Sequence, residues 1–317
     1  MEHFNVSTDP NDLYYQDRLK VAKGLDKVEF AKVFEHRRAI INGVNIHYVI
    51  GGTGPVILFG HGWPASWYEW RHVLTELYTD FTCVAFDMPG IGDSEPPQYF
   101  DNKSIADLVC KFVENEIKVD SLFVVGHDVS GPGLITMAAY YPELVERLFL
   151  TETSIAGPEM GKVLAAHINE IWHFPVNASR LATTVAIGRE EQFIGQFFSK
   201  WMYNVGALSQ ADLDEYVRTA KIPGVIECGA SYYHKAIHEA DEQGNPIPKD
   251  SLTMPVHYVG AALGFGGYLG GEDKAAFSTV ERFATDISYE VLDKCSHWIS
   301  EDRPVTIAKK IKEFFQQ

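Results

Sequence analysis

An aspartate stands where a short apolar run gives way to a helical pattern. Residues 122–125 are typical of a buried strand, and Asp128 comes just before the helical pattern of residues 131–140. A carboxylate at such a turn can attack an electrophilic carbon, of an epoxide or a halide for example, and form an ester with the protein. The nearby helix N-terminus favours its ionised form. The alternative is that Asp128 only caps the helix, since Asp is a preferred N-cap residue.

Two further loops carry groups that such a reaction needs. The motif His61-Gly62-Trp63-Pro64 follows another apolar run. The backbone N–H groups of Trp63 and Val129 are candidates for an oxyanion hole that serves hydrolysis of the ester. The simpler interpretation is an ordinary turn, because glycine and proline are common in loops. Near the C-terminus, His297 follows the last strand-like run, where an imidazole can reach over the sheet edge and act as a base.

Short apolar runs that alternate with helical patterns predict the scaffold for these loops. Asn42-Gly43 lies between two β-rich runs, which is the strongest short hairpin signal. The later strand-like runs are 56–59, 83–86, 122–125 and 147–150, and the helical patterns between them are 66–77, 105–117 and 131–140. Fully apolar short runs between helices indicate parallel strands that are buried on both faces.

The middle of the chain has a different character. From about residue 156 to residue 250 the helical patterns are rich in aromatic residues, and no convincing strand occurs. Strands resume at 256–259 and 289–292, before a final helix at 304–315. We therefore predict an α/β protein with a mostly parallel central sheet. Residues 36–155 and 251–317 form its core, residues 156–250 an all-helical insertion, and residues 1–35 a polar, helical lead-in.

Composition and charge bound the partners of the protein. Of the 317 residues, 46% are hydrophobic, and 43 acidic against 27 basic side chains give a formal net charge of −16. Such a charge repels nucleic acid and anionic lipid, so we expect a small neutral or cationic partner and no nucleic acid. No apolar run reaches 18 residues, so no membrane span is predicted. A homodimer stays open.

The chain start and the cysteines bear on the compartment. The polar start lacks the features of a secretory signal, which predicts a cytoplasmic protein, although a secreted form that has lost its signal stays open. The four scattered cysteines are interpreted as buried free thiols.

The remaining histidines do not predict a metal site. His234 and His238 share a helical face, but the His-Glu-x-x-His pattern and a third ligand are missing, so no metal is expected. His61 and His127 are interpreted as structural, because each precedes a motif residue and need not face a pocket.

Four motifs in this order resemble the epoxide hydrolases of the α/β-hydrolase fold. They are His61-Gly62-Trp63-Pro64, Asp87-Met88-Pro89-Gly90-Ile91-Gly92-Asp93-Ser94, Gly126-His127-Asp128-Val129-Ser130-Gly131 and Ser296-His297-Trp298. The resemblance covers about residue 37 to the C-terminus and implies that residues 156–250 are the cap, or lid, of that fold. It also implies a cofactor-independent reaction in two steps: Asp128 opens an epoxide to form a hydroxyalkyl ester, and His297 activates the water that hydrolyses it.

The resemblance implies an acid that orients His297. Many relatives carry it after the strand that corresponds to 256–259, but here the glycine-rich stretch 260–271 has no acidic residue. A subset of relatives uses a Glu after the strand that corresponds to 147–150, and we choose Glu152 over Asp273. A purely structural Glu at a strand end is the alternative. The glycine-rich stretch lacks the Gly-Lys-Ser/Thr ending of a phosphate loop.

The resemblance also implies two donors to the epoxide oxygen, which are usually lid tyrosines. We identify Tyr233 with the second donor and keep Tyr232 as its rival. The first position holds His173. Such a His/Tyr pair resembles the subgroup that contains the secreted bacterial factor that inhibits the cystic fibrosis chloride channel. A histidine ring N–H can also donate. Packing alone is the alternative for both residues.

Two other functions compete with epoxide hydrolysis. Haloalkane and haloacid dehalogenases share the fold and the Asp–His pair. Haloalkane dehalogenases have a Trp after the nucleophile and often an Asn after the first His-Gly, where this chain has Val129 and Trp63. Fluoroacetate dehalogenases carry arginines just beyond the nucleophile, and residues 129–137 contain none. A non-catalytic ligand-binding protein is the other alternative, and it would need neither a nucleophile nor a base.

Overall fold

One mixed sheet forms the centre of the molecule. The computed structural model describes residues 9–156, 158–242, 247–267 and 275–317. In the described part, eight strands lie in the order β1-β2-β4-β3-β5-β6-β7-β8. They are β1 (Phe34–Ile41), β2 (Val44–Gly52), β3 (Val56–Gly60), β4 (Thr82–Phe86), β5 (Leu122–His127), β6 (Val145–Thr151), β7 (Val256–Ala261) and β8 (Ile287–Leu292). The pairs β1–β2 and β2–β4 are antiparallel and the other five are parallel, which confirms the mostly parallel sheet.

The predicted hairpin joins β1 and β2. Asn42 and Gly43 both have positive φ, 49° and 82°, as a type I′ turn requires, and Ile41 pairs with Val44 across it. The turn follows the natural twist of the two strands and fixes their register. The hairpin prediction is confirmed.

Helices flank the sheet and fill the middle of the chain. Those around the sheet are α1 (Leu13–Lys23), α2 (Lys27–Val33), α3 (Arg71–Leu77), α4 (Asn102–Phe112) and α5 (Ser130–Tyr140). The middle holds α6 (Pro158–Ala166), α7 (His173–Ala178), α8 (Leu181–Ala186), α9 (Glu190–Trp201), α10 (Gln210–Ala220) and α11 (Val225–Glu242), and no strand occurs among residues 158–242, which the structure describes throughout. The chain returns to the sheet with α12 (Ala275–Glu281), α13 (Ile299–Asp302) and α14 (Pro304–Phe315).

Parallel strands buried on both faces position the loops at their carboxyl ends. All six residues of β5 are buried, and its neighbours β3 and β6 are buried over most of their length. The residues after β3, β5, β6 and β8 therefore meet at one edge of a rigid sheet. These are the loops that the sequence singles out for chemistry.

A buried charge network fixes the middle helices to the sheet domain. Arg71 of α3 pairs with Glu301 of α13 at 2.5 Å and with Asp212 of α10 at 3.2 Å. The hydroxyl of Tyr216, also on α10, donates to Glu301. Because an unpaired buried charge is costly, each partner requires the others, and α10 is held against the core.

The described part of the N-terminal lead-in holds the helices α1 and α2, and α1 packs on the last helix. Asp17 of α1 is fully buried, accepts the N–H groups of Val305 (2.7 Å) and Thr306 (2.9 Å) and pairs with Arg303 at 2.7 Å. It thus satisfies open donors at the start of α14.

The four cysteines are free and buried, as predicted. In the described ranges, no helix combines the length and the apolar character needed to cross a membrane.

Candidate active site

Asp128 lies on a sharp turn between β5 and α5. Its φ of 48° is unusual for a residue with a side chain, and strain of this kind is typical of functional turns. The hydroxyl of Thr153 donates to the Asp128 carbonyl at 2.7 Å. Gly131 leaves the space that this contact needs, because a Cβ there would lie 1.9 Å from the Thr153 Oγ1. The turn is therefore held in its strained form by the loop after β6.

The loop after β3 supplies a hydrogen bond to the Asp128 carboxylate. The backbone N–H of Trp63 donates to Oδ2 at 2.9 Å. Gly62 allows this approach, since a Cβ on it would lie 2.9 Å from His127 Nδ1 and 3.0 Å from Asp128 Cβ. Val129 is half-buried and directly follows Asp128 at the start of α5. Of the predicted oxyanion hole, Trp63 thus binds the carboxylate directly, and Val129 adjoins Asp128 in the chain.

His297 stands between two carboxylates. Its Nε2 is 4.0 Å from Asp128 Oδ2, and its Nδ1 is 3.4 Å from Glu152 Oε2. The structure thus brings together the predicted nucleophile, base and orienting acid, which come from the loops after β5, β8 and β6. The 4.0 Å separation leaves Nε2 facing the carboxylate without a direct hydrogen bond.

The glycine-rich stretch, which begins at the end of β7, has a role that the sequence did not reveal. Its backbone N–H groups at Ala261 (2.7 Å), Gly266 (2.9 Å) and Phe265 all donate to the Glu152 carboxylate, which is fully buried. A Cβ on Gly264 would lie 2.2 Å from Glu152 Oε2. The stretch is an anion cradle for an internal carboxylate. The rival acid, Asp273, lies outside the described residues.

Two polar side chains of the middle helices approach this edge of the sheet. His173 of α7 and Tyr233 of α11 are buried, with ring centroids 5.9 Å apart and an angle of 83° between the rings. Burial and the charge of Asp128 raise the pKa of Tyr233 well above its ordinary value. Burial, and to a lesser degree His297, lowers the pKa of His173 to about 3. Both side chains are therefore neutral hydrogen-bond donors at ordinary pH.

The neighbouring tyrosines on α11 point in different directions. The Tyr232 hydroxyl donates to the Pro89 carbonyl at 2.9 Å, in the loop after β4. Tyr233 instead packs against His173 and against Phe174, with a centroid distance of 5.0 Å to the latter. One turn earlier on α11, a Cβ on Gly229 would lie 2.4 Å from the Trp63 ring. The Tyr233 face of α11 therefore contacts the loop that binds Asp128.

Glu69 is a buried polar residue of this region that the sequence analysis missed. It lies in the turn Trp67–Trp70 before α3, is fully buried, and its Oε1 is 2.9 Å from His127 Nδ1. The Trp67-Tyr68-Glu69-Trp70 run resembles the start of an amphipathic helix, in which a Glu is ordinarily exposed. Its burial in the folded protein is the observation that distinguishes Glu69 from an exposed Glu of an ordinary amphipathic helix.

One cluster in the described ranges has the composition of a metal site, but its ligands are already used. His47, Asp87 and Asp93 bring their potential ligand atoms within 4.8 Å of one another. Asp87 accepts the N–H groups of Trp67 and Asp93, both at 2.8 Å, and contacts His47 Nδ1 at 2.7 Å. Asp93 also pairs with Arg218 at 2.6 Å. These bonds make the cluster a structural one.

His234 contacts the Ala178 carbonyl at 2.8 Å, and the His238 side chain is outside the described part.

Known proteins share both the sequence pattern and the fold. Residues 55–206 match the model of the α/β hydrolase fold family. The soluble epoxide hydrolase of Corynebacterium sp. (strain C12) is 32% identical over 287 residues, which are 88% of this chain and 96% of that protein. Cfl2 from Burkholderia cenocepacia has a TM-score of 0.79 at 29% identity, over 89% of this chain and 96% of that one. The Cif epoxide hydrolase from Acinetobacter nosocomialis shares the fold with a TM-score of 0.78 at 18% identity, over 98% of both chains.

Proposed function

Since the chain belongs to the epoxide hydrolases of the α/β-hydrolase fold, we propose that it converts a small apolar epoxide to a vicinal diol through an ester of Asp128. The catalytic residues in this proposal are Asp128, His297, Glu152, Tyr233 and His173. The helices α6–α11 of the segment 156–250 form the cap over the site, because they carry His173 and Tyr233. No cofactor is required, since side chains and backbone groups of the chain fill every role.

In the first step, Asp128 opens the ring. Its Oδ2 is held by the Trp63 N–H, so Oδ1 is the oxygen that attacks the epoxide carbon. A C–O bond forms to Oδ1 as the ring C–O bond breaks, and the ring oxygen keeps the bonding pair. This oxygen takes the proton of the Tyr233 hydroxyl and accepts a hydrogen bond from His173, because a free alkoxide is a poor leaving group.

In the second step, water hydrolyses the ester. A water molecule between His297 Nε2 and the Asp128 carboxyl carbon gives its proton to Nε2 and attacks that carbon. Glu152 stabilises the imidazolium that forms, through Nδ1. The N–H groups of Trp63 and Val129 stabilise the negative charge that develops on Oδ2. Collapse of the intermediate breaks the bond between the carboxyl carbon and Oδ1, and Oδ1 leaves with the diol and takes the imidazolium proton. The oxygen of the water replaces Oδ1 in Asp128, and the proton of the new carboxyl group restores the Tyr233 hydroxyl.

The observation that carries the proposal is the environment of the Asp128 carboxylate. One oxygen accepts a backbone N–H at 2.9 Å and faces an imidazole at 4.0 Å that contacts a second, buried carboxylate. A helix cap or a ligand-binding residue needs no such base. Neutral buried donors opposite the carboxylate favour an oxygen leaving group that needs a proton.

Turnover of styrene oxide tests the proposal and separates its rivals. We expect the wild-type protein to form the diol, and the Asp128→Asn variant to lose that activity while it stays folded by circular dichroism. Halide release from 1-bromobutane or fluoroacetate, without diol formation, would instead show a dehalogenase. Saturable binding of styrene oxide without any product would identify a binding protein.

A further inference from the structure

A second histidine–carboxylate pair lies beneath the site and takes no part in the two steps above. Glu69 and His127 are both fully buried, and the distance between Glu69 Oε1 and His127 Nδ1 is 2.9 Å. Ion pairs of this kind are costly to bury unless each partner is well bonded. The His127 ring also lies edge-on to the rings of Trp70 and Trp298, which fix its plane.

The pair contacts three of the four loops that act in ester hydrolysis, those after β3, β5 and β8. The Glu69 carboxylate accepts the Gly62 N–H, at 3.3 Å to Oε1 and 3.4 Å to Oε2, directly before the oxyanion-hole residue Trp63. His127 directly precedes Asp128 in the chain. Its Nε2 is 3.1 Å from the main-chain carbonyl oxygen of His297, and the two imidazole centroids are 4.8 Å apart.

The partners of the His127 ring determine where its protons are. A carbonyl oxygen can only accept, so the contact with His297 requires a proton on Nε2. The contact between Nδ1 and the Glu69 carboxylate then requires one more proton between those two atoms. With that proton the pair is an imidazolium and a carboxylate, and it is neutral as a whole. Without it, the Nδ1 lone pair faces a carboxylate and the contact is repulsive.

We propose that Glu69 and His127 form a protonated brace that positions the Trp63 N–H and His297 for hydrolysis of the Asp128 ester. The inference rests on the proposed function above. Both are positioning residues, since neither faces the substrate. The brace acts mainly on the second step, because His297 serves only that step, whereas the Trp63 N–H holds Oδ2 in both steps. Ring opening depends on Asp128, Tyr233 and His173, which the pair contacts only through Asp128.

The charges around His127 predict when the brace fails. Glu69 faces it from the turn before α3, Asp128 from the start of α5, Glu152 from the loop after β6 and His297 from the loop after β8. Burial lowers the pKa of His127, but the charge and hydrogen bond of Glu69, with the charges of Asp128 and Glu152, outweigh it and raise the pKa to about 9. The contact is therefore complete below the ordinary histidine pKa and is lost as the pH rises through about 9.

Two substitutions of Glu69 distinguish a proton-dependent brace from simple packing. In Glu69→Gln, the amide NH2 can donate to Nδ1 and the amide oxygen can accept the Gly62 N–H, so the contacts persist without a shared proton. In Glu69→Ala both contacts are lost. Glu76→Gln is the matched control, because Glu76 lies on α3 but pairs at the surface with Lys20.

The experiment measures single-turnover ring opening and ester hydrolysis of styrene oxide between pH 6 and 10. For the wild type and Glu76→Gln, we expect hydrolysis to decline through about pH 9. That decline should vanish in Glu69→Gln, and Glu69→Ala should slow hydrolysis at least tenfold more than ring opening. The proposal would be overturned if hydrolysis in Glu69→Gln declined near pH 9 as it does in the wild type. It would also be overturned if Glu69→Ala slowed ring opening and hydrolysis equally.

A readout without substrate separates this inference from the proposed function. NMR titration of the His127 ring, assigned with a His127→Asn variant, should show a pKa near 9 in the wild type and one below 6.5 in Glu69→Gln. Those values would support the brace even if no epoxide were turned over. A wild-type value near 6.5, or one that does not change in Glu69→Gln, would refute the brace whatever the activity.

Discussion

The two sides of the site hold their polar groups in different ways. On the sheet side, backbone N–H groups bind both carboxylates: one donates to Asp128 and three donate to Glu152. On the cap side, His173 and Tyr233 are held by ring contacts, for example with Phe197 at 5.2 Å and Phe174 at 5.0 Å. In the described ranges, the structure records no hydrogen bond to the Tyr233 hydroxyl or to the His173 ring.

The difference follows from charge. A buried carboxylate must be bonded at all times, so its partners belong to the fold and are in place before the substrate arrives. A neutral hydroxyl or imidazole is less costly to leave without a hydrogen-bond partner. In the proposed reaction, the sheet side therefore holds the charge that is always present, and the cap side donates to the oxygen that the substrate brings.

The largest expected effect is on the sheet side, at the orienting acid. We expect Glu152→Gln to lower kcat by about 10⁴-fold, the size of effect seen when the acid of a catalytic triad is made neutral. Asp273→Asn is the matched control and should lower kcat less than tenfold. Steady-state kinetics with styrene oxide measures both, and the reverse ordering would transfer the role to Asp273.

On the cap side, the expected loss is smaller because two donors share the work. Tyr233→Phe should slow ring opening by about 10²-fold, at the lower end of the range for general acids, and leave hydrolysis of a preformed ester unchanged. Tyr232→Phe removes only the hydrogen bond to Pro89, which costs about 1 kcal/mol of stability. Stopped-flow kinetics separates the steps. An unaltered ring-opening rate in Tyr233→Phe would make Tyr232 the better candidate.

Stability should respond differently to alanine on the two sides. Gly264→Ala puts a Cβ against the Glu152 carboxylate and should lower the free energy of unfolding by about 1–3 kcal/mol. Gly195 lies in α9 with open space around it, so Gly195→Ala should raise that free energy by about 0.5–1 kcal/mol. Urea denaturation measures both changes. Equal changes in the free energy of unfolding would mean that a Cβ is accommodated beside the Glu152 carboxylate as easily as on α9.

The smallest effect is expected for pH on the cap side, where the rate of ring opening should not respond to protonation of His173. Because the pKa of His173 is lowered to about 3, its ring stays neutral from pH 5 to 8 and the ring-opening rate should not titrate with it. The same lowered pKa means that His173 reduces stability as the pH falls from about 6.5 towards 3. A decline of ring opening centred near pH 6.5 that His173→Gln removes would contradict a neutral donor.

Local patterns carried most of the fold prediction. The Asn42-Gly43 turn, the apolar strands and Asp128 at a strand-to-helix turn are each encoded by neighbouring residues, and the strands predicted from 56 to 292 are present. Their carboxyl ends share one edge in any such sheet. This is why the positions of Asp128 and His297 relative to each other could be anticipated.

Contacts between distant residues could not be predicted in this way. The cradle around Glu152 joins residue 152 to residues 261–266, and the glycines of that stretch give no sign of which carboxylate they surround. Glu69 follows an ordinary helical pattern, and only tertiary packing buries it. Tyr232 and Tyr233 differ in direction by one helical step, which their sequence does not rank.

Trapping of the ester tests the central claim most directly. The His297→Ala variant, incubated with styrene oxide and digested, should yield a peptide containing Asp128 whose mass is increased by that of the substrate. The same peptide from the Asp128→Asn, His297→Ala double variant should be unmodified. An unmodified Asp128 peptide in the single variant, from protein that still binds the epoxide, would contradict attack by this carboxylate.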